Sequence, residues 1–145
     1  MPVTYRKRLS RSASNKNLLR ESNSMRVYFH NNYTTTVWVA IMQYDTDACG
    51  GHGGDWATRG WWRIEPGQEV WAFSTTNEYC CAYAEAADGA VWSGDYGPVY
   101  VYQHAFDSCV NIGASDAIDE VGMFLMDLPW YRWNPIATHT VWLNP

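Results

Sequence analysis

The octapeptide Gly60–Gly67, GWWRIEPG, constrains this chain more than any other stretch. Trp61 and Trp62 are adjacent, and neighbours along an extended strand project to opposite faces. A strand through them needs apolar cover on both sides, which places it inside a layered body. Pro66-Gly67 follows at once. Proline presets φ at the second position of a turn, and glycine accepts the positive φ that a type II turn demands next. The spacing predicts a hairpin with Glu69–Phe73 as the returning strand, Trp71 and Phe73 on one face and Val70 and Ala72 on the other.

The rest of the chain reads the same way. Met25–Asn31 has strand composition, with Val27 and Phe29 on one face, and is expected at an edge. Thr34–Tyr44 is apolar on both faces, which predicts a central, doubly covered strand. Glu78–Ala87 alternates Tyr79, Cys81, Tyr83 and Glu85 against Cys80, Ala82, Ala84 and Ala86; Asp88-Gly89 then supplies a hairpin turn into Ala90–Trp92. Val99–Tyr102, Val121–Met126 (central) and Thr138–Leu143 complete the strands. Asp45–Ala57, Ser93–Pro98, Asn111–Glu120 and Pro129–Pro135 read as loops and turns. With 145 residues, 47% of them apolar, there is enough chain for one packed domain. Nine Trp and ten Tyr suit pleated sheets rather than a helical bundle. The expectation is an all-β, antiparallel β-sandwich of about seven to nine short strands.

Charge divides the chain. Residues 1–26 hold Arg6, Lys7, Arg8, Arg11, Lys16, Arg20 and Arg26 against Glu21, a net of +6; residues 27–145 hold three arginines against fourteen carboxylates, a net of −11. A basic, Ser/Asn-rich arm (1–26) thus precedes an acidic, aromatic-rich domain (27–145). The arm lacks the apolar run of a secretory signal, and no stretch is long and apolar enough for a membrane span. The expected location is cytoplasmic, or exported as part of an assembly. Nucleic-acid binding is disfavoured, because the arm lacks interleaved aromatics and the following domain repels phosphates.

The four cysteines allow three full pairings, and spacing does not choose among them. Cys49 and Cys109 both lie beside Gly/Asp/Asn-rich stretches and are candidates to meet at one end of a sandwich. Cys80 and Cys81, adjacent on a strand, face opposite sides. Four free thiols is the alternative.

Few residues propose chemistry. Asp45, Asp47 and Asp55 in a glycine-rich loop offer oxygen ligands that calcium would accept, without the spacing of an EF-hand; a solvated acidic loop is the plainer reading. The four histidines form no zinc spacing, and no nucleophile elbow or Cys/His signature is present. Trp56, Trp92, Trp130, Tyr131 and Trp133 lie in or beside turns, where they either cap the ends of a sandwich or form a platform for sugar rings or protein partners.

From Ala40 onward the chain resembles the bacterial family named as domain of unknown function one-zero-three-six. The residues that carry the likeness are Ala40-Ile41 with Tyr44, Gly60-Trp61-Trp62 with Ile64 and Pro66-Gly67, Tyr83-Ala84-Glu85, Trp92-Ser93-Gly94, and Ala105-Phe106 to Cys109. The resemblance implies a small β-rich module without an assigned activity. Two features depart from it: a basic arm stands where many members carry an export signal, and Cys80-Cys81 replaces aromatics. Together these readings lead to a non-enzymatic interaction module that forms homo-oligomers or docks on a partner through the arm. A glycan-binding sandwich using the turn-borne aromatics is second, and an enzyme third.

Overall fold

A computed structural model describes residues 24–111, 119–128 and 137–145. It is an all-β sandwich of ten strands: β1 (Met25–Asn31), β2 (Val37–Tyr44), β3 (Trp56–Ile64), β4 (Glu69–Thr75), β5 (Tyr79–Ala86), β6 (Val91–Trp92), β7 (Tyr96–Val101), β8 (Phe106–Cys109), β9 (Asp119–Asp127) and β10 (Ala137–Leu143). The small sheet runs β10-β1-β4. The large one runs β7-β9-β5-β2-β3-β8, with β6 beside the upper half of β5. Among the described residues no helix is long and apolar enough to cross a membrane. Most of the arm, with Arg6, Lys7, Arg8, Arg11, Lys16 and Arg20, lies outside the described residues, as do Trp130, Tyr131 and Trp133 and most of Asn111–Glu120.

The alternation read from the sequence separates two cores. One face of the large sheet presents Val37, Val39, Ile41, Trp62, Ile64, Cys80, Ala82, Ala84 and Met126 to Met25, Val27, Phe29, Phe73 and Leu143 of the small sheet. The opposite face gathers Ala40, Met42, Trp61, Cys81, Tyr83, Val99, Phe106 and Met123 into a second cluster. Trp61 and Trp62 fall on opposite faces, as expected. A register shift between Val39 and Ala40 leaves Trp61 as the extra residue of a bulge. Its Nε1 donates to the Tyr102 carbonyl at 2.7 Å, which satisfies the one polar atom of a buried indole. β2 and β9 are interior strands, as expected.

Three expectations are corrected. Glu65–Gln68 is a tight turn, with Gln68 N donating to Glu65 O at 3.0 Å and Gly67 at φ 79°, but it is a crossover between sheets and not a hairpin. β3 pairs with β2 and β8, whereas β4 pairs with β1. The reason is Asn31 at the end of β1, fully buried. Its Nδ2 donates to the carbonyls of Ile64 and Thr35, both at 2.9 Å, and its Oδ1 accepts from Tyr33 N at 2.8 Å. Its backbone bonds Gly67 and Gln68. Turn chemistry is local, but the partner of the returning strand is chosen by a side chain 33 residues upstream of Ile64.

Secondly, β1 is the centre of the small sheet and not an edge, because β10 pairs with it in parallel along its whole length. That pair departs from the otherwise antiparallel pattern. Thirdly, Trp71 and Phe73 do not share a face. A bulge opposite Val27/Tyr28 rotates the strand, so Phe73 is core while Trp71 is 54% exposed. β8 falls in a stretch to which the sequence assigns no element, and β1 covers Met25–Asn31, the strand expected there.

Replacing Asn31 with alanine strands three buried or half-buried backbone groups, those of Tyr33, Thr35 and Ile64, on two segments. The expected cost is about 2–4 kcal/mol. It is read as a lower urea midpoint at unchanged slope.

Candidate groove on the curled sheet

The large sheet curls about its second cluster, and beside that cluster a groove of about 780 Å³ opens on the same face. Its floor is a row across three strands, Leu125 of β9 opposite Cys81 of β5 opposite Met42 of β2. Trp56, Tyr79, Tyr96 and Tyr100 stand around it, with Pro98, Val110 and Asn111. Period-two alternation puts Tyr79 on the face of Cys81. Two of the tyrosines and part of the floor remain accessible: Tyr79 is 45%, Tyr96 48% and Leu125 39% exposed. Trp56 meets Tyr44 edge-on, with centroids 5.7 Å apart.

A rigid corner holds one wall. Cys49 and Cys109 form a disulfide with Cα atoms 5.8 Å apart, so the reading of four free thiols is overturned. Next to it Asn111 N donates to Gly53 O at 3.0 Å and Val110 N to Trp56 O at 2.9 Å. Beneath the same loop lies Arg59, the largest fully buried side chain among the described residues. Its guanidinium contacts Asp45 Oδ2 at 3.3 Å and Asp107 Oδ1 at 3.0 Å, and donates to Gln43 Oε1 at 3.1 Å.

This corner bears on the calcium alternative for the loop of Asp45, Asp47 and Asp55. Asp45 turns inward to Arg59, while its Oδ1 accepts the backbone N–H groups of Asp47 and Ala48 at 3.2 Å each. A carboxylate occupied by an arginine and two amides has little left for a cation. Asp47 and Asp55 are exposed. Among the described residues no three His, Cys, Asp or Glu side chains gather as a metal site.

The two described members of the aromatic platform are separated. Trp56 lines the groove. Trp92 packs edge-on against Tyr33 on the other side of the large sheet and donates its Nε1 to Asn144 O at 2.9 Å, which makes it an end cap. Sequence reasoning missed Tyr79, Tyr96, Tyr100 and Leu125 as groove residues. The alternation that puts Tyr79 beside Cys81 was legible, but it does not reveal which face of a doubly apolar sheet stays open.

Cys80 and Cys81 are free and buried. Burial pushes the Cys80 thiol up to about 12, against a Thr75 hydrogen bond that lowers it and with neighbouring Cys81 raising it. Burial likewise pushes Cys81 up to about 11. Both folded values exceed the ordinary 9.0. The stability these thiols contribute is therefore complete below pH 9 and is lost as pH rises toward the folded values. The slope is at most about 1.4 kcal/mol per pH unit per thiol. Urea denaturation on either side of pH 9 should show the fall, and Cys80→Ala with Cys81→Ala should flatten it.

Comparison of the chain with family models, with curated proteins and with solved structures gives no match.

Proposed function

We propose that the protein is a non-enzymatic interaction module whose working surface is the tyrosine-lined groove. The observation that carries this reading is the groove itself: exposed rings of Tyr79 and Tyr96 and half-buried rings of Trp56 and Tyr100 over an apolar floor. Tyr and Trp supply large, rigid contact area with little entropy to lose, which is why they dominate binding centres. Among the described residues, the groove's lining contains no His, Asp, Glu, Lys, Arg, Ser or Thr. Its one thiol, Cys81, is held protonated by burial. Such a surface favours capture over acid–base or nucleophilic work. It also favours a peptide-like ligand over a glycan, whose hydroxyls need several fixed polar partners; the lining offers the Asn111 amide and the tyrosine hydroxyls. The disulfide favours an oxidising setting. The bacterial family resemblance remains a proposal carried by the quoted residues.

The test uses Nile red, a neutral planar fluorophore, as probe. The protein should bind it with a blue shift, and Tyr79→Ala with Tyr96→Ala should weaken binding about tenfold or more, while Trp92→Phe leaves it unchanged. Equal binding by the groove variant overturns the reading. Displacement of the dye by soluble oligosaccharides moves the assignment to glycans.

A further inference from the structure

The groove's charge surroundings point to what enters it. Asp127 stands directly opposite Tyr79 in the ladder between β9 and β5, on the same face as that ring; Asp55 and Asp95 immediately precede the strands that carry Trp56 and Tyr96, adding negative charge near the groove without lining it. All three are exposed. The described residues include three arginines, and none is available there. Arg59 is buried against Asp45 and Asp107. Arg63 pairs with Glu65 at 2.8 Å, seven residues and so roughly 23 Å of strand from Trp56. Arg26 lies in the small sheet. Aromatic faces beside uncompensated carboxylates attract cations, and most strongly guanidinium groups. The molecule already makes that contact once: the Arg26 guanidinium carbon sits 5.1 Å from the centroid of the exposed Trp71 ring.

Resting on the groove as binding surface, we propose that its occupant is the basic segment 1–23 of a second copy of this chain, whose Arg and Lys side chains stack on Tyr79, Tyr96 and Trp56. Segment 1–23 carries Arg6, Lys7, Arg8, Arg11, Lys16 and Arg20 against Glu21, a net of +5. Residues 24–145 carry four arginines against fourteen carboxylates, a net of −10. Opposite charges of this size steer two copies together head to tail. The segment joins its own chain at β1. That strand lies in the small sheet, which covers one face of the large sheet, while the groove opens on the other. The segment's attachment point thus lies across the large sheet from its own groove, which favours delivery between copies.

Light scattering on the full chain tests this. At low ionic strength the mass should exceed one chain and rise with concentration. In about 1 M salt, where the screening length is roughly 3 Å, it should fall to one chain. Full-length Arg6→Ser/Lys7→Ser/Arg8→Ser/Arg11→Ser should be a single chain at low salt, and so should Tyr79→Ser/Tyr96→Ser, each with an unchanged circular dichroism spectrum. A single-chain mass for the unaltered protein at low salt overturns the proposal, as does an undiminished mass for either variant. If segment and association prove unconnected while Nile red still depends on Tyr79 and Tyr96, the groove stands and this occupant falls. If dye binding is also indifferent to those tyrosines, both fall.

Discussion

Replacing Arg59 with alanine is expected to destabilise the protein by about 3–5 kcal/mol, enough to remove a large part of the stability of a domain this size. Arg59 has no exposed surface, and Asp45, one of its two carboxylate partners, is nearly as well hidden at 9%. Removing the guanidinium leaves the Asp45 charge and the Gln43 side chain without their partner in a poorly solvated place. Removing one member of a buried pair costs far more than the pair is worth against an apolar replacement. Asp45→Asn should be severe for the reciprocal reason. Asp107→Asn should cost no more than about 1 kcal/mol, because that carboxylate is 44% exposed and water takes over much of its role. Urea denaturation of the three variants gives the ranking. A loss at Asp107 equal to that at Asp45 would contradict this account of the corner.

The second large effect is expected from the disulfide. The Cys49–Cys109 bond spans 60 residues. On the chain-entropy estimate, closing such a loop in the unfolded chain contributes about 4 kcal/mol. Cys49→Ser with Cys109→Ser should therefore lower the melting temperature by roughly 10–15 °C. Thiol reductant should lower the unaltered protein by the same amount and leave the double variant where it is, since Cys80 and Cys81 are already reduced. The groove should suffer as well, because the bond anchors the strand end that carries Val110 and Asn111.

What could be read before the structure was whatever depends on neighbouring residues. Trp61-Trp62 declared a strand covered on both faces, Pro66-Gly67 a turn, and Asp88-Gly89 a hairpin, and each is present. What could not be read depends on distant partners. The crossover after β3 follows from buried Asn31, and the central place of β1 from a parallel partner more than a hundred residues downstream. Bulges are similarly silent in the pattern, and one of them turned Trp71 out while Phe73 stayed in.

Arg59 had a signal that went unused. It is a cation between Thr58 and Gly60, four residues before the exposed Arg63 in a strand rich in tryptophan, and such a residue is either a second exposed charge or a buried partner for a carboxylate. Gly94 and Gly122 are a comparable pair: an added Cβ on Gly122 would run into the Gly94 carbonyl, and one on Gly94 would come within 2.7 Å of the Met123 carbonyl. The close passage of the chain after β6 against β9 thus needs glycine at both places, a requirement that appears only once the strands are assembled.

The most direct test of the groove as the working surface is methyl NMR on the full chain labelled at methionine and leucine, followed from micromolar to millimolar concentration at low salt. Met42 and Leu125 lie in the groove floor, and Met25 lies in the core between the two sheets. The account predicts that the Met42 and Leu125 methyl signals shift or broaden as copies associate, while Met25 stays still. Unmoved Met42 and Leu125 signals in a sample whose mass is rising would contradict it.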